Sequence, residues 1–314
     1  MLSNLKLLYH LDDLKSGVFD YFDKTSIENC WVHGERKTVH LRACKGDKEY
    51  NSWGTSSNEV LAIGVALVEM IERVHLSSLP RIWTNLKTLE QLNHDELAGK
   101  YSCLNSFLAT SSGLAAHLDL NRSIQNSLSE IIERHVITKS TLCNLGFEKI
   151  DKDTFLTKGP LGEFVVIKRY KYLDSGYLYG TASSNFLNDA IKSAENELAP
   201  QIAWSQNPAN LKDLSASFSI NNASGIQFYN LSNDLDLELR SDARVDTNLD
   251  RSDFWYSEIE ILSSFKHIKS LRVTRAFCPK LQPFYFGRLL DGPLNPEAFD
   301  GYKINPSREF NIVA

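Results

Sequence analysis

Apolar residues recur at three- and four-residue intervals in four stretches of the 314-residue chain, and this period predicts helices over Asn58–His75, Asn121–Ser140, Phe186–Glu197 and Asp253–Phe265. Alternation or short β-branched and aromatic runs predict strands at Thr38–Ala43, Phe164–Tyr170, Gly225–Asn230 and Ser270–Phe277. Ser57 stands where the first helix needs an N-cap, and Ser184 and Asn185 introduce the third. Tyr170, Tyr172, Tyr177 and Tyr179, spaced around Asp174–Gly176, predict a hairpin with aromatic faces. Strands alternating with long helices predict a mixed α/β chain. No Pro/Gly/Ser tract or block of like charge interrupts the pattern, so a single domain over 1–314 is expected. The longest apolar run, Leu61–Val68, ends at Glu69, far short of the ~20 residues that span a bilayer. The start of the chain lacks the apolar core and cleavage site of a secretory signal, and the expected location is cytoplasmic.

One long pattern occurs twice. Ser52–Val74, SWGTSSNEVLAIGVALVEMIERV, returns at Ser111–His135 as SSGLAAHLDLNRSIQNSLSEIIERH. Each copy has Ser-x-Gly, a short polar stretch, an amphipathic helix and then Glu-x-Ile-Glu-Arg. A looser third copy, Gly180–Glu197, keeps a carboxylate at Glu197 and loses the Arg. Helical spacing puts Glu69, Glu72 and Arg73 on one face, and likewise Glu130, Glu133 and Arg134. Two such helices side by side would bring four carboxylates and two guanidinium groups together. Four carboxylates repel one another unless cations intervene, and hard oxygen donors favour Mg²⁺, which shares its coordination with substrate phosphates. An adjacent Arg can grip a phosphate in bidentate fashion. A Glu-x-x-Glu-Arg run on one amphipathic helix taken alone is usually a solvated face. Its recurrence after the apolar stripes Leu61/Val65/Val68 and Ile124/Leu128/Ile131, with Ile71 and Ile132 inside the pairs, favours a half-buried functional face.

Composition changes this picture little. The 34 Lys and Arg against 39 Asp and Glu leave a net charge of −5, which gives no long-range attraction for nucleic acid or an anionic membrane. With 42% hydrophobic residues, 16 Gly and 9 Pro, collagen-like and disordered classes are excluded. The five cysteines form no CxxC pair, and no GxxxxGK[ST] or GxGxxG phosphate loop occurs. His75 and His135 follow the repeated Arg, and helix-end or core packing is expected of them ahead of proton transfer. The acidic stretch Asn233–Asp253 lacks EF-hand spacing and reads as a solvated segment. A plain metal-dependent hydrolase built on the clustered carboxylates is one reading open at this point.

The repeats resemble the paired motifs of the YcaO family of ATP-dependent peptide-backbone modifiers, written SGKG…A…E-x-x-ER and TSNGLAAG…EA…E-L-I-ER. Here they read NSWGTSSNEVLAIGVALVEMIER (Asn51–Arg73) and TSSGLAAHLDLNRSIQNSLSEIIER (Thr110–Arg134). Gly180, Ala182, Ala190, Ala194 and Glu197 resemble a later family stretch, and RVTRAFCPKLQPFYFG resembles its late strand and turn. The resemblance spans about residues 36–288, between an N-terminal extension (1–35) and a C-terminal tail (289–314). It implies a mixed α/β fold with repeated strand–helix units around a central nucleotide cleft, and ATP and Mg²⁺ as cofactors. Glu69, Glu72, Glu130 and Glu133 would hold the metal. Ser52, Arg73, Ser112, Arg134 and Arg275, with Arg272 as second choice, would contact the nucleotide.

The implied activity is modification of backbone amides in a ribosomally made precursor peptide. A nucleophile adds to the amide carbon, ATP phosphorylates the resulting oxygen and phosphate departs, giving an azoline, thioamide or amidine. The implied partners are the precursor peptide and a separate leader-peptide-binding protein, in a homodimer or a heteromeric complex. Four positions depart from the family: Trp53 stands near the Lys of SGKG, Ser112 replaces Asn, His117 replaces Gly and Arg122 replaces Glu. The final SREFNIVA also lacks the proline-rich tail of azoline-forming members. A YcaO-like scaffold without turnover is the alternative that these departures raise.

Overall fold

Two helices, α1 (Leu2–Tyr9) and α2 (Leu11–Tyr21), precede an antiparallel sheet of β1 (Lys24–Trp31), β2 (Lys37–Lys45) and β3 (Lys48–Ser56) in that order. The computed structural model describes residues 2–31, 36–143, 146–172, 176–206, 249–283 and 295–299. From β3 the chain enters α3 (Glu59–His75), whose buried Ala62, Ala66, Leu67, Met70 and Ile71 pack on the Val39/Leu41/Ala43 face of β2. Next come β4 (Ile82–Asn85), β5 (Gln91–Asn93), α4 (His94–Lys100), α5 (Leu104–Leu108), β6 (Leu114–His117) and α6 (Leu120–Cys143). A second antiparallel sheet follows: β7 (Glu148–Asp151), β8 (Thr154–Lys158), β9 (Phe164–Tyr172) and β10 (Gly176–Ser184), ordered β10-β9-β8-β7 and leading into α7 (Leu187–Ser205). β11 (Trp255–Ile259) and β12 (Arg272–Phe277) complete a third sheet, ordered β5-β4-β11-β12-β6.

The three copies of the repeat are three strand–helix units: β3 with α3, β6 with α6, and β10 with α7. Each has a glycine where the helix crosses its strand or turn. A Cβ at Gly54 would lie 1.9 Å from the Ala62 carbonyl oxygen, and one at Gly180 would lie 2.1 Å from that of Ala194. Gly113 holds a φ of +74°, a left-handed conformation open to glycine, and a Cβ there would lie 2.5 Å from Ile131. Two large apolar clusters result. One centres on α2, α3 and β2, and the other on α6 with the aromatic residues Trp83, Phe107, Trp255 and Phe277.

Several expectations change. The stretch Asp253–Phe265 is not a helix: short 3₁₀ turns at Arg251–Asp253 and Ser263–Phe265 flank β11. Trp255, Ser257 and Ile259 point inward while Tyr256 and Glu258 do not, and this two-residue alternation prevails over the looser helical spacing. Asn58, and not Ser57, caps α3, its Oδ1 accepting from the N–H groups of Val60 and Leu61. At α7 the N-cap is Phe186, without a side-chain cap, while the Ser184 hydroxyl accepts from the Phe186 N–H. The buried stripe of α3 is Ala62/Ala66/Met70; Val65 is exposed and Leu61 and Val68 are half-buried. The tyrosine hairpin forms, with β9 antiparallel to β10; residues 173–175 lie outside the described residues, as do Gly225–Asn230, most of Asn233–Asp253 and most of the 289–314 tail. No helix among the described residues is long and apolar enough to cross a membrane.

Candidate nucleotide and metal site

The two glutamates of each repeat have different tasks. The first of each pair binds a backbone N–H at or beside the glycine of its own unit. Glu69 Oε2 accepts from the Trp53 N–H at 2.8 Å, and Glu130 accepts from the Gly113 N–H. The second reaches across to the next unit. Glu72 accepts from the Ala116 N–H of β6 at 2.6 Å, and Glu133 accepts from the Thr181 hydroxyl of β10 at 2.6 Å. Glu197 on α7 then faces Glu69, Glu133 and Glu130, which closes the circuit back to the first unit.

The arginines follow the same plan. Arg73 donates to Glu69 at 2.8 Å, and Arg134 pairs with Glu130 at 2.6 Å while donating to the Ser111 hydroxyl at 2.8 Å. Both pairs are i,i+4 contacts, so local helix geometry suffices to make them.

Burial dominates the electrostatics. Desolvation raises the carboxyls of Glu72, Glu130, Glu133 and Glu197 above their ordinary value of 4.5, with Glu133 reaching about 7 and Glu197 about 8. At Glu197, which opens onto the cleft, the charges of Glu69, Glu133 and Glu130 add to the rise. At Glu130 the charges of Arg134, Arg275 and Arg73 oppose it. Carboxyls held partly protonated by burial, and at Glu197 also by neighbouring carboxylates, are the donor set that a divalent cation relieves. The residues therefore fit Mg²⁺ in kind. As placed, only Glu69 and Glu197 line the cleft, and the five glutamates do not meet at one point: no three His, Cys, Asp or Glu groups among the described residues form a ready-made metal cluster.

The cleft, about 240 Å³, lies between α3, the edge of β3 and α7, lined by Trp53, Val65, Glu69, Arg73, Asn196 and Glu197 among others. Arg36 holds α7 in place by hydrogen bonds to Asn196 and Glu195.

The other residues singled out in the sequence take these places. Ser52 is fully buried on the opposite face of β3 from the Trp53 ring, and its hydroxyl donates to the Ala66 carbonyl at 2.8 Å. Ser112 is buried in the turn before β6, its N–H bonded to the Thr110 hydroxyl. Arg275 is buried and donates to the carbonyls of Leu76, Leu108 and Thr110, close enough to Glu130 for the two charges to interact. Burial lowers its pKa to about 10. Arg272 is half-buried at the start of β12 and pairs with Glu258. Arg122 is exposed on the first turn of α6, and His117 is half-buried at the end of β6.

His75 and His135 are core residues. His75 Nδ1 donates to the Ile71 carbonyl while Nε2 accepts from the Leu262 N–H, which fixes a neutral tautomer. His135 Nδ1 accepts from the Gln282 N–H, and burial lowers its pKa to about 3. Glu197 is the residue missing from the sequence-derived ligand set. Its signal was the third repeat, weakened by the missing Arg.

No family model matches the chain, and no curated protein matches it in sequence. Solved structures do match. YcaO from Methanopyrus kandleri, bound with AMPPCP and Mg²⁺, superposes with a TM-score of 0.56 at 13% identity, over 89% of this chain and 91% of that one. The E. coli microcin synthetase McbBCD complex with pro-MccB17 bound gives 0.55 at 14% identity, over 92% and 96%. The fold is that of the YcaO proteins. A heterocyclase in complex with substrate and cofactor gives 0.56 at 13% identity, over 94% of this chain and 56% of that one. The YcaO fold thus carries over almost the whole chain while little of the sequence is shared.

Proposed function

We propose that this chain binds Mg·ATP in the cleft between α3, β3 and α7 and modifies backbone amides of a ribosomally made precursor peptide. The observation that carries this reading is the circuit of five carboxylates, contributed by three strand–helix units, with two arginines already inside it. In the solved YcaO structure from M. kandleri the fold holds AMPPCP and Mg²⁺, and McbBCD holds a pro-peptide, which supports the same ligand classes here.

Glu69, Glu72, Glu130, Glu133 and Glu197 would hold Mg²⁺, and Glu133 and Glu197 would give up the protons that burial keeps on them as the cation enters. Arg73 and Arg134, released from Glu69 and Glu130, would turn to phosphate oxygens as bidentate donors. ATP supplies phosphoryl transfer to the amide oxygen. The protein contributes position and fixed positive charge where negative charge develops. Arg275 acts from behind, ordering the 108–112 turn and facing Glu130. Ser52 ties β3 to α3, and Ser112 braces the turn before β6. Azoline, thioamide and amidine products all begin from this activation. A precursor peptide, a separate leader-peptide-binding protein and a homodimeric or heteromeric assembly complete the reading.

A scaffold without turnover is the second reading. It draws on the protein donors that already occupy the carboxylates, Arg73 and the Trp53 N–H at Glu69 above all. Calorimetry with ATP and Mg²⁺ separates the two: the enzyme reading expects binding heat, the scaffold none. Glu69→Ala and Glu133→Ala are each expected to abolish phosphate release while circular dichroism shows a folded protein. Undiminished phosphate release in both variants rejects the site.

A further inference from the structure

Trp53 is held unusually firmly for a residue at the mouth of a cleft. It lies directly opposite His40 across the β2–β3 pairing, and the two rings stack with centroids 3.9 Å apart and planes within 4° of parallel. The imidazole is itself locked: Arg42 Nε donates to Nδ1 at 3.2 Å, which leaves Nε2–H to donate to Asn51 Oδ1 at 3.0 Å. Burial first, and then the charge of Arg42, lower its pKa below the usual histidine value, so the indole rests on an uncharged plane. The Trp53 N–H is tied to Glu69, one of the carboxylates around the cleft. The indole is half-buried and lines the cleft beside Val65 and Pro200, with Glu69, Arg73 and Glu197 at the charged part of the same cavity. The cavity therefore has a flat aromatic and apolar part adjoining a part fitted to cations and phosphates. A ligand that satisfies both has a planar ring joined to a polyphosphate.

We propose that Trp53, backed by His40, is the stacking platform for the heteroaromatic base of the bound nucleotide. This deepens the nucleotide reading above and rests on it. A base stacked on a preformed ring loses little conformational freedom in the protein. Aromatic stacking on a base is sequence-tolerant and contributes about 1–3 kcal/mol per base when probed by alanine substitution.

The test compares two probes on one protein by calorimetry, Mg·ATP and Mg·tripolyphosphate, the second lacking any base. Trp53→Ala is expected to weaken Mg·ATP binding by roughly tenfold and to leave Mg·tripolyphosphate unchanged, while Trp53→Phe keeps most of the ATP affinity. Indole emission supplies a second readout: wild type minus Trp53→Phe isolates Trp53 from the other four tryptophans, and Mg·ATP but not Mg·tripolyphosphate should quench that difference. The emission arm decides alone if Trp53→Ala does not fold. Equal losses for both probes, no loss for either, or a difference spectrum blind to ATP overturns the platform and leaves the nucleotide reading standing. Wild-type protein that binds neither probe removes both.

Discussion

Gly54 shows how strongly one position can be constrained by a neighbour that is close in sequence but brought nearer still by packing. A methyl group there would lie 1.9 Å from the Ala62 carbonyl oxygen, inside the helix that carries Glu69 and Glu72. Gly54→Ala is expected to destabilise the fold by about 3 kcal/mol, read by urea denaturation. Gly99→Ala, in an exposed helical position of α4 with nothing within 4 Å, should instead stabilise by about 0.5 kcal/mol. Equal effects would show that the close crossing is not what the first repeat conserves between its copies. The Ser-x-Gly signature is visible in the sequence, but which way its serine faces is not. Strand alternation sends Ser52 to α3 and Trp53 to the cleft, because successive side chains of a strand leave opposite faces.

β12 positions Arg275 between the end of α3 and the 108–112 turn. Its guanidinium donates to the carbonyls of Leu76, Leu108 and Thr110, and it is one of the three positive charges facing Glu130. Arg275→Met leaves those carbonyls without a donor and is expected to cost about 3 kcal/mol in chemical denaturation. Mg²⁺ binding should weaken with it, because the 108–112 turn and Glu130 lose their common support. Arg275→Lys, retaining charge but not the fork of donors, should recover part of the stability. That the late strand existed was legible from SLRVTRAF; that its arginine points inward was not, since buried arginine is rare and its acceptors are backbone atoms of distant loops. β11 departs from its expected helix for a related reason. Its inward residues obey a period of two, yet Trp255 and Ile259 also stand four apart, as a helix would place them.

The whole molecule carries a net charge of only −5, while Glu69, Glu130, Glu133 and Glu197 stand close enough for their charges to interact. Glu133 and Glu197 hold their protons up to about 7 and about 8, against an ordinary 4.5 in the unfolded chain. Between those values the folded protein binds more protons than the unfolded one, so the metal-free protein loses stability as pH rises from about 4.5 to about 8. Thermal melting without metal should therefore show a falling midpoint over that window. Mg²⁺ competes with the same protons, so its stabilising effect should be larger at pH 8 than at pH 5.5; a metal effect independent of pH would contradict the shared site. The sequence alone was enough to determine the repeat, the helical face on which each Glu-x-x-Glu-Arg lies and the hard-oxygen chemistry of that face. Those are properties of an i,i+3 and i,i+4 period, and they need no distant partner. Tertiary structure alone decided that Glu72 meets Ala116, 44 positions away, that Glu133 meets Thr181, 48 positions away, and that Glu197 completes the circuit. It also decided which carboxylates keep their protons, because desolvation depends on how the units pack against one another and not on what lies next along the chain.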